Sequence, residues 1–307
     1  MSTGEPTWDL YGAFLAVMET GSLSGAARRL EVAQPTVRRQ IEQLEETLGV
    51  VLFTRASNGL VPTDVANATL PHAQAIASSA RAFVRAVSGA NEPARGTVRV
   101  ACSEIMATEV LPPILDDLRR AAPMLQLELA VSNANEDLLR RDADVAVRMV
   151  RPTQAGLVAR RVGVIPVGLF ATKKYLERHP PPRTLADLRD HVLIGGDRDR
   201  AFVDALAAQG LELRASDVAI RTDHQPAQLA AVRAGLGIGA CQVPVARSLV
   251  RVIPSLTFPL DTHVVMHEDL RASARVRRVF DHLVAQLVAY ARAEKKVERR
   301  SRSRSSL

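Results

Sequence analysis

The stretch AARRLEVAQPTVRRQIEQLEETLG, residues 26–49, decides how this chain is read. It holds two helical runs with only Glu31-Val32-Ala33 between them. Ala26, Ala27 and Leu30 make the apolar side of the first run, which Ser22 or Ser24 can cap by accepting from backbone N–H groups that lack a helical partner. Pro35 falls in the first turn of the second run, where its missing N–H would have had no partner anyway. Val37, Ile41, Leu44 and Leu48 follow at steps of four, three and four, which predicts one buried stripe, and Val32 is expected to pack inward from the turn. Small residues at a close crossing, a tight turn and a polar start to the second helix make a helix-turn-helix. Such a helix can lay its first turn in a major groove, where Gln can bond adenine and Arg guanine.

Working outward, Leu10, Phe14, Leu15 and Met18 predict a preceding amphipathic helix that ends near Thr20-Gly21. After the second helix, VVLFTRASNGLVPT reads as a hairpin turning at Asn58-Gly59, a wing with Arg55 leading into it as a phosphate contact. Thr63 or Asp64 can cap a long helix from Val65 to about Ser88. Its apolar side of Ala66, Leu70, Ala73, Ile76, Ala77, Ala80, Phe83, Val84 and Val87 exceeds what one small domain covers, so a partner helix is expected.

The formal net charge is +7, but its location matters more than its size. Residues 1–95 carry eight arginines, no lysine and nine acidic residues, so the helix-turn-helix region is not basic overall. Residues 292–304 carry seven Lys or Arg against two acids, and this polar tail is read as disordered or frayed. Charge near the helix-turn-helix is instead local: four arginines between Ser24 and Ile41 face only Glu31, while Glu42, Glu45 and Glu46 come later. The candidate DNA-contacting residues are therefore Ser24, Arg28, Gln34, Pro35, Thr36, Arg38, Arg39 and Arg55. No apolar run approaches the roughly 18–20 residues of a membrane span, and the start lacks the order of a signal peptide, so a cytoplasmic protein is expected. Two cysteines in 307 residues argue against a disulfide framework.

Beyond the polar linker SGANEPARG, strand and helix patterns alternate. Strands are predicted at Thr97–Ala101, Leu125–Val131, Asp144–Val147, Val164–Ala171, Val192–Ile194, Val218–Arg221 and Ile238–Cys241. Helices are predicted around Ile114-Leu115-Leu118, at Asn135–Arg141 and at Ala274–Ala293, which implies a parallel sheet of α/β type. Ala234-Gly235-Leu236-Gly237-Ile238-Gly239 lacks the spacing of a nucleotide loop and precedes a strand. His263 and His267 lie in a strand-like run, where that spacing separates side chains by roughly 13 Å, so no metal site is expected. Cys102 and Cys241 fall at predicted strand ends and are read as buried, inert thiols in preference to a redox pair. No catalytic constellation stands out.

One ordered set carries a family resemblance: Gly21-Ser22-Leu23-Ser24, Ala26-Ala27-Arg28-Arg29-Leu30, Gln34-Pro35, Arg39-Gln40-Ile41, Leu44-Glu45, Leu48-Gly49, Leu52-Phe53, Arg55 and Pro62-Thr63. In it the chain resembles the bacterial LysR-type transcriptional regulators, strongly over residues 8–88 and more loosely to about 290. Ala33 and Arg38 depart from the pattern, where a serine is usual at each. The resemblance implies an N-terminal all-α winged helix-turn-helix (1–62) with a long linker helix (63–88) and a hinge linker (89–95). It further implies a C-terminal α/β effector domain (96–293) of two subdomains, like periplasmic binding proteins, with crossovers near 162–170 and 260–268, followed by the basic tail (294–307). It implies Ser103, Asn133, Asn135, His224 and Gln225 lining an effector cleft, a small-molecule effector with a carboxylate as the modal class, and no cofactor. The implied partners are double-stranded DNA and further copies of the chain in a dimer or tetramer, with RNA polymerase as a candidate. The competing reading is a small-molecule-binding or enzymatic α/β protein whose N-terminal helices serve only assembly.

Overall fold

The computed structural model describes residues 5–56, 59–87, 95–133, 143–152 and 156–304. The chain forms two compact units, divided at residues 87 and 88. In the first, α1 (Trp8–Thr20), α2 (Leu23–Leu30) and α3 (Gln34–Leu48) pack around Ala13, Phe14, Val17, Ala26, Val37, Ile41 and Leu44, all buried. Ser22 caps α2 by accepting from the Gly25 N–H at 3.1 Å. The helix closes as a Schellman motif: Glu31 takes the left-handed conformation at φ 57°, its N–H reaches the Arg28 carbonyl, and the Val32 N–H reaches that of Ala27. That turn directs Val32 outward, 41% exposed, against the expectation that it packs inward. Leu48 is also exposed, because Gly49 in the left-handed conformation turns the chain there and delivers Leu52 and Phe53 to the core instead.

The wing is β1 (Phe53–Ala56) against β2 (Gly59–Pro62), with Ala56 opposite Gly59. Gly59 of the expected Asn58-Gly59 turn therefore belongs to the returning strand, and Asn58 lies outside the described residues. Gly59 has φ 136°; a Cβ there would stand 2.6 Å from the Gly21 carbonyl oxygen, which accepts from the Leu60 N–H. Thr63 caps α4 (Asp64–Val87) through the Ala66 N–H and donates to the Val51 carbonyl. Ala66 and Ala73 of α4 join the first unit's core, whereas Phe83 and Val84 stand 72% and 66% exposed.

Among the described residues, the second unit is built on a nine-stranded sheet. Its strands are β3 (Gly96–Cys102), β4 (Leu125–Val131), β5 (Val145–Arg148), β6 (Leu157–Ala171), β7 (Leu193–Gly195), β8 (Ile220–Arg221), β9 (Ile238–Gln242), β10 (Val250–Val252) and β11 (Phe258–His267). Their order is β4-β3-β5-β11-β6-β9-β7-β8, with β10 also on β6. The expected parallel sheet is instead mixed: β4-β3-β5 and β9-β7-β8 are parallel groups, and β11 and β6 run antiparallel to their neighbours. The physical reason is the path of the chain, which crosses between two α/β halves along β6 and returns along β11. These two strands pair from Phe258 opposite Val167 to His267 opposite Leu157, with an irregularity between Thr262 and His263.

The helices of this unit are α5 (Leu111–Ala121, entered through a π-helical turn at Met106–Val110), α6 (Lys173–Arg178), α7 (Ala201–Ala207), α8 (Gln225–Arg233) and α9 (Ala274–Arg304). Val276, Val279, Phe280, Leu283 and Leu287 of α9 are buried with Val98, Val100, Val145, Val147 and Leu118 in one core. Leu169, Tyr175, Leu188, Leu193, Leu206 and Ile238 make a second. The α9 backbone stays helical to Arg304, where a disordered tail was expected; Ala, Glu, Lys and Arg are strong helix formers and no Gly or Pro intervenes. The helix expected at Asn135–Arg141 lies outside the described residues.

Candidate nucleic-acid interface and ligand cleft

The first turn of α3 forms without a side-chain cap, since Ala33 has no oxygen to offer, and Pro35 occupies the position where a lost N–H is harmless. Burial of Val37, Ile41 and Leu44 fixes the helix face, which leaves Pro35, Arg38 and Arg39 exposed and Gln34 and Thr36 half-buried. Ser24, Arg28 and Arg55 are exposed as well. Among the described residues no hydrogen bond or ion pair holds the side chains of Arg28, Arg38, Arg39 or Arg55, whereas Arg29 is tied to Glu19 at 2.7 Å. Four unpaired guanidinium groups are thus presented by α2, α3 and the wing. Glu45, in charge counting one more acid, is a structural tie: its Oε1 accepts from the N–H groups of Leu52 and Phe53 at 2.6 and 3.1 Å and so joins the wing to α3.

In the second unit a cavity of about 280 Å³ opens between the halves of the sheet. Its walls are Ile105, Phe202, Leu229, Phe258 and Leu260, with Gln225, Gln228 and Gln242 as the polar groups and Asp199 as the charged lining residue. Of the residues expected to line a cleft, Gln225 does so, from the first turn of α8. Of the other described ones, Asn133 and His224 are spent on scaffolding around it, and Ser103 is not in the lining. The His224 Nδ1 accepts from the Ala227 N–H at 3.3 Å and caps α8. The Asn133 Oδ1 accepts from the Glu104 N–H at 3.1 Å, and Ser103, half-buried, lends its carbonyl to the Ala107 N–H. Asn135 lies outside the described residues. Phe202, Phe258 and Gln242 were missed because they come from three distant segments; the scarcity of aromatic residues, 4% of the chain, is the one hint the sequence holds.

Electrostatics around the cavity is settled by the chain's own groups. Glu104 Oε2 accepts from the Gln225 N–H at 2.9 Å, filling the place at the α8 start where an outside anion would bind. Asp223 Oδ1 accepts from the N–H groups of Asp197, Arg198 and Asp199 at 2.8–3.0 Å, and Oδ2 meets the Arg198 guanidinium. Those backbone N–H groups, the Asp199 one foremost, together with Arg198, hold the Asp223 carboxyl far below the usual carboxylate range. Burial pushes the Cys102 thiol up to about 11 and the Cys241 thiol up to about 12. His263 is buried beside the Asp261 carbonyl, and His267 caps the turn at Asp269. The glycines of the Ala234–Gly239 run serve close packing: a Cβ at Gly237 would stand 2.3 Å from the Val192 carbonyl oxygen.

Family models match almost the whole chain: "Bacterial regulatory helix-turn-helix protein, lysR family" over residues 8–67 and "LysR substrate binding domain" over residues 91–288. The Mau operon transcriptional activator of Paracoccus denitrificans is 32% identical over 181 residues, 57% of this chain and 64% of that protein, so the match spans just under two thirds of its length. An HTH-type transcriptional regulator of Xanthomonas campestris pv. campestris is 28% identical over 288 residues, 89% of this chain and 83% of that protein. The fold is that of CbnR, a LysR family transcriptional regulator, with TM-score 0.67 and 22% identity over 92% of this chain and 99% of that one. With both family models matched in order on a winged helix-turn-helix and a two-halved α/β unit, the chain belongs to the LysR-type transcriptional regulators of bacteria.

Proposed function

We propose that the protein is a cytoplasmic regulator that binds a two-fold related promoter site through α3 and the wing, and is switched by a small molecule in the cavity of its second unit. The observation that carries this reading is the set of exposed arginines, Arg28, Arg38, Arg39 and Arg55, unpaired among the described residues, on a helix-turn-helix whose overall charge is not basic. A crystal structure of CbnR with its target DNA, TM-score 0.65 to this chain, supports DNA as the partner. The exposed Phe83 and Val84 on α4 support assembly into a dimer or tetramer. A non-enzymatic role is favoured by the match of the first unit to a regulatory helix-turn-helix family. Switching requires the small molecule to bind two arrangements of the protein unequally.

Band-shift titration on the intergenic DNA beside the protein's own gene tests the reading. Binding weakens with salt, and Arg39→Ala or Gln34→Ala lowers affinity, by about 1–3 kcal/mol for a lost base contact. Undiminished promoter binding by a chain lacking residues 1–62 would overturn it.

A further inference from the structure

The cavity has a definite chemical preference, which rests on reading it as the effector site. A carboxylate ligand is held best by a cation, which the described lining residues do not supply, and the N–H groups at the α8 start are already taken. Among the described residues no Lys, Arg or His lines the cavity. The N–H of Gln225 is taken by Glu104, that of Ala227 by His224, that of Glu104 by Asn133, and the N–H groups of Asp197, Arg198 and Asp199 by Asp223. Arg148 acts on the Cys102 thiol but lies outside the lining and is itself engaged within the chain. Of the fixed charges at the walls, Asp199 in the lining and Glu104 behind Gln225 are negative, and Arg233, which acts on the lining Cys241 thiol, is offset by its fork with Glu109.

What the cavity does offer is amides among apolar walls. Gln242 is 6% exposed; its Oε1 accepts from the Tyr290 hydroxyl, while its Nε2 meets only the Met106 thioether at 3.9 Å, a poor acceptor for a buried amide N–H. Gln228 donates to the Thr222 carbonyl at 2.6 Å, which leaves its Oε1 to accept. The Gln225 amide makes no side-chain hydrogen bond among the described residues. Phe202 and Phe258 supply aromatic rings to the lining. The volume is about twice the ~150 Å³ that holds a benzene ring.

We propose that the effector is a neutral molecule of one or two rings, bearing a carbonyl or hydroxyl oxygen that accepts from the Gln242 Nε2 and a donor that reaches Gln225 or Gln228, and that carboxylates are rejected. Rejection follows because a buried carboxylate that faces no cation and stands beside Asp199 and Glu104 loses its hydration uncompensated.

Calorimetric titration of the full chain at pH 7 with matched pairs tests this: benzamide against benzoate, and 2-naphthamide against 2-naphthoate. The amides are expected to bind at least tenfold more tightly than the acids, with Gln242→Leu and Phe202→Ala each weakening amide binding about tenfold. Acids that bind as tightly as the amides, and lose binding in the same two variants, would overturn the neutral preference and leave the cleft reading standing. Probes that bind equally well to both variants, or no binding by any probe, would overturn the cleft reading and the preference with it. The paired comparison on the unaltered chain does not depend on either variant folding.

Discussion

At the scale of single residues, three positions show how local chemistry is spent. Ala33 begins α3 with extended geometry, φ −71° and ψ 143°, the conformation in which a serine hydroxyl would accept from the first turn. Ala33→Ser should therefore stabilise the chain by about 1 kcal/mol in urea unfolding, without moving the guanidinium groups of Arg38 and Arg39. Gly59 is the opposite case, since any side chain meets the Gly21 carbonyl that anchors the wing. Gly59→Ala should cost about 1–3 kcal/mol and weaken DNA binding with α3 unaltered, measured by thermal unfolding and band shift on the same sample. Cys102 and Cys241 are buried thiols, and burial moves both still further from ionising at neutral pH. In the native chain neither should react with a thiol-specific reagent at pH 7, and both should react once it is unfolded.

At the scale of elements, the two halves around the cavity are clasped where α8 meets the chain that follows β3. Arg233, the last residue of α8, forms a fork with Glu109 of the π-helical turn, with contacts of 2.8 and 2.7 Å. The hydrogen bonds from Arg233 lower the Glu109 carboxyl below its ordinary 4.5. A carboxylate with a depressed folded value contributes stability that is present above 4.5 and lost as pH falls through the lower value. Partial exposure of both groups limits the contribution to about 0.5–1 kcal/mol. Glu109→Gln should thus be less stable than the parent at pH 7, and the difference should close as urea titrations are repeated below pH 4.5. This clasp was invisible in the sequence because its partners are 124 residues apart, whereas α1 to α4 were legible from spacing, from Pro35 and from the capping residues Ser22 and Thr63. Strand β10 was missed for a related reason. Three residues, Val250–Val252, carry too little periodicity, and only pairing with Leu169–Ala171 of β6 makes them a strand.

At the scale of the whole molecule, the order of the two units was legible because each rests on a local pattern repeated many times: helical stripes up to residue 87, strand and helix alternation after it. The mixed sheet was not, since antiparallel crossing by β6 and β11 is a property of the chain's path and leaves no mark on either strand's own residues. The cavity lay further out of reach, its lining drawn from segments spread between Ile105 and Leu260. Assembly stands between these limits. The apolar side of α4 was read as wanting a partner, and the structure divides it: Ala66 and Ala73 are consumed by the first unit's core, while Phe83 and Val84 are left to water. Fully burying side chains of that size is worth about 1.5–3 kcal/mol each, which a partner helix would recover and a lone chain forgoes. Phe83→Glu should place a charge in that contact, lower the molar mass seen by light scattering to that of a smaller assembly, and weaken binding to the two-fold site. Binding to a half-site should change little, because Arg28, Arg38, Arg39 and Arg55 are untouched. Parent-like mass and affinity in this variant would assign assembly to another surface.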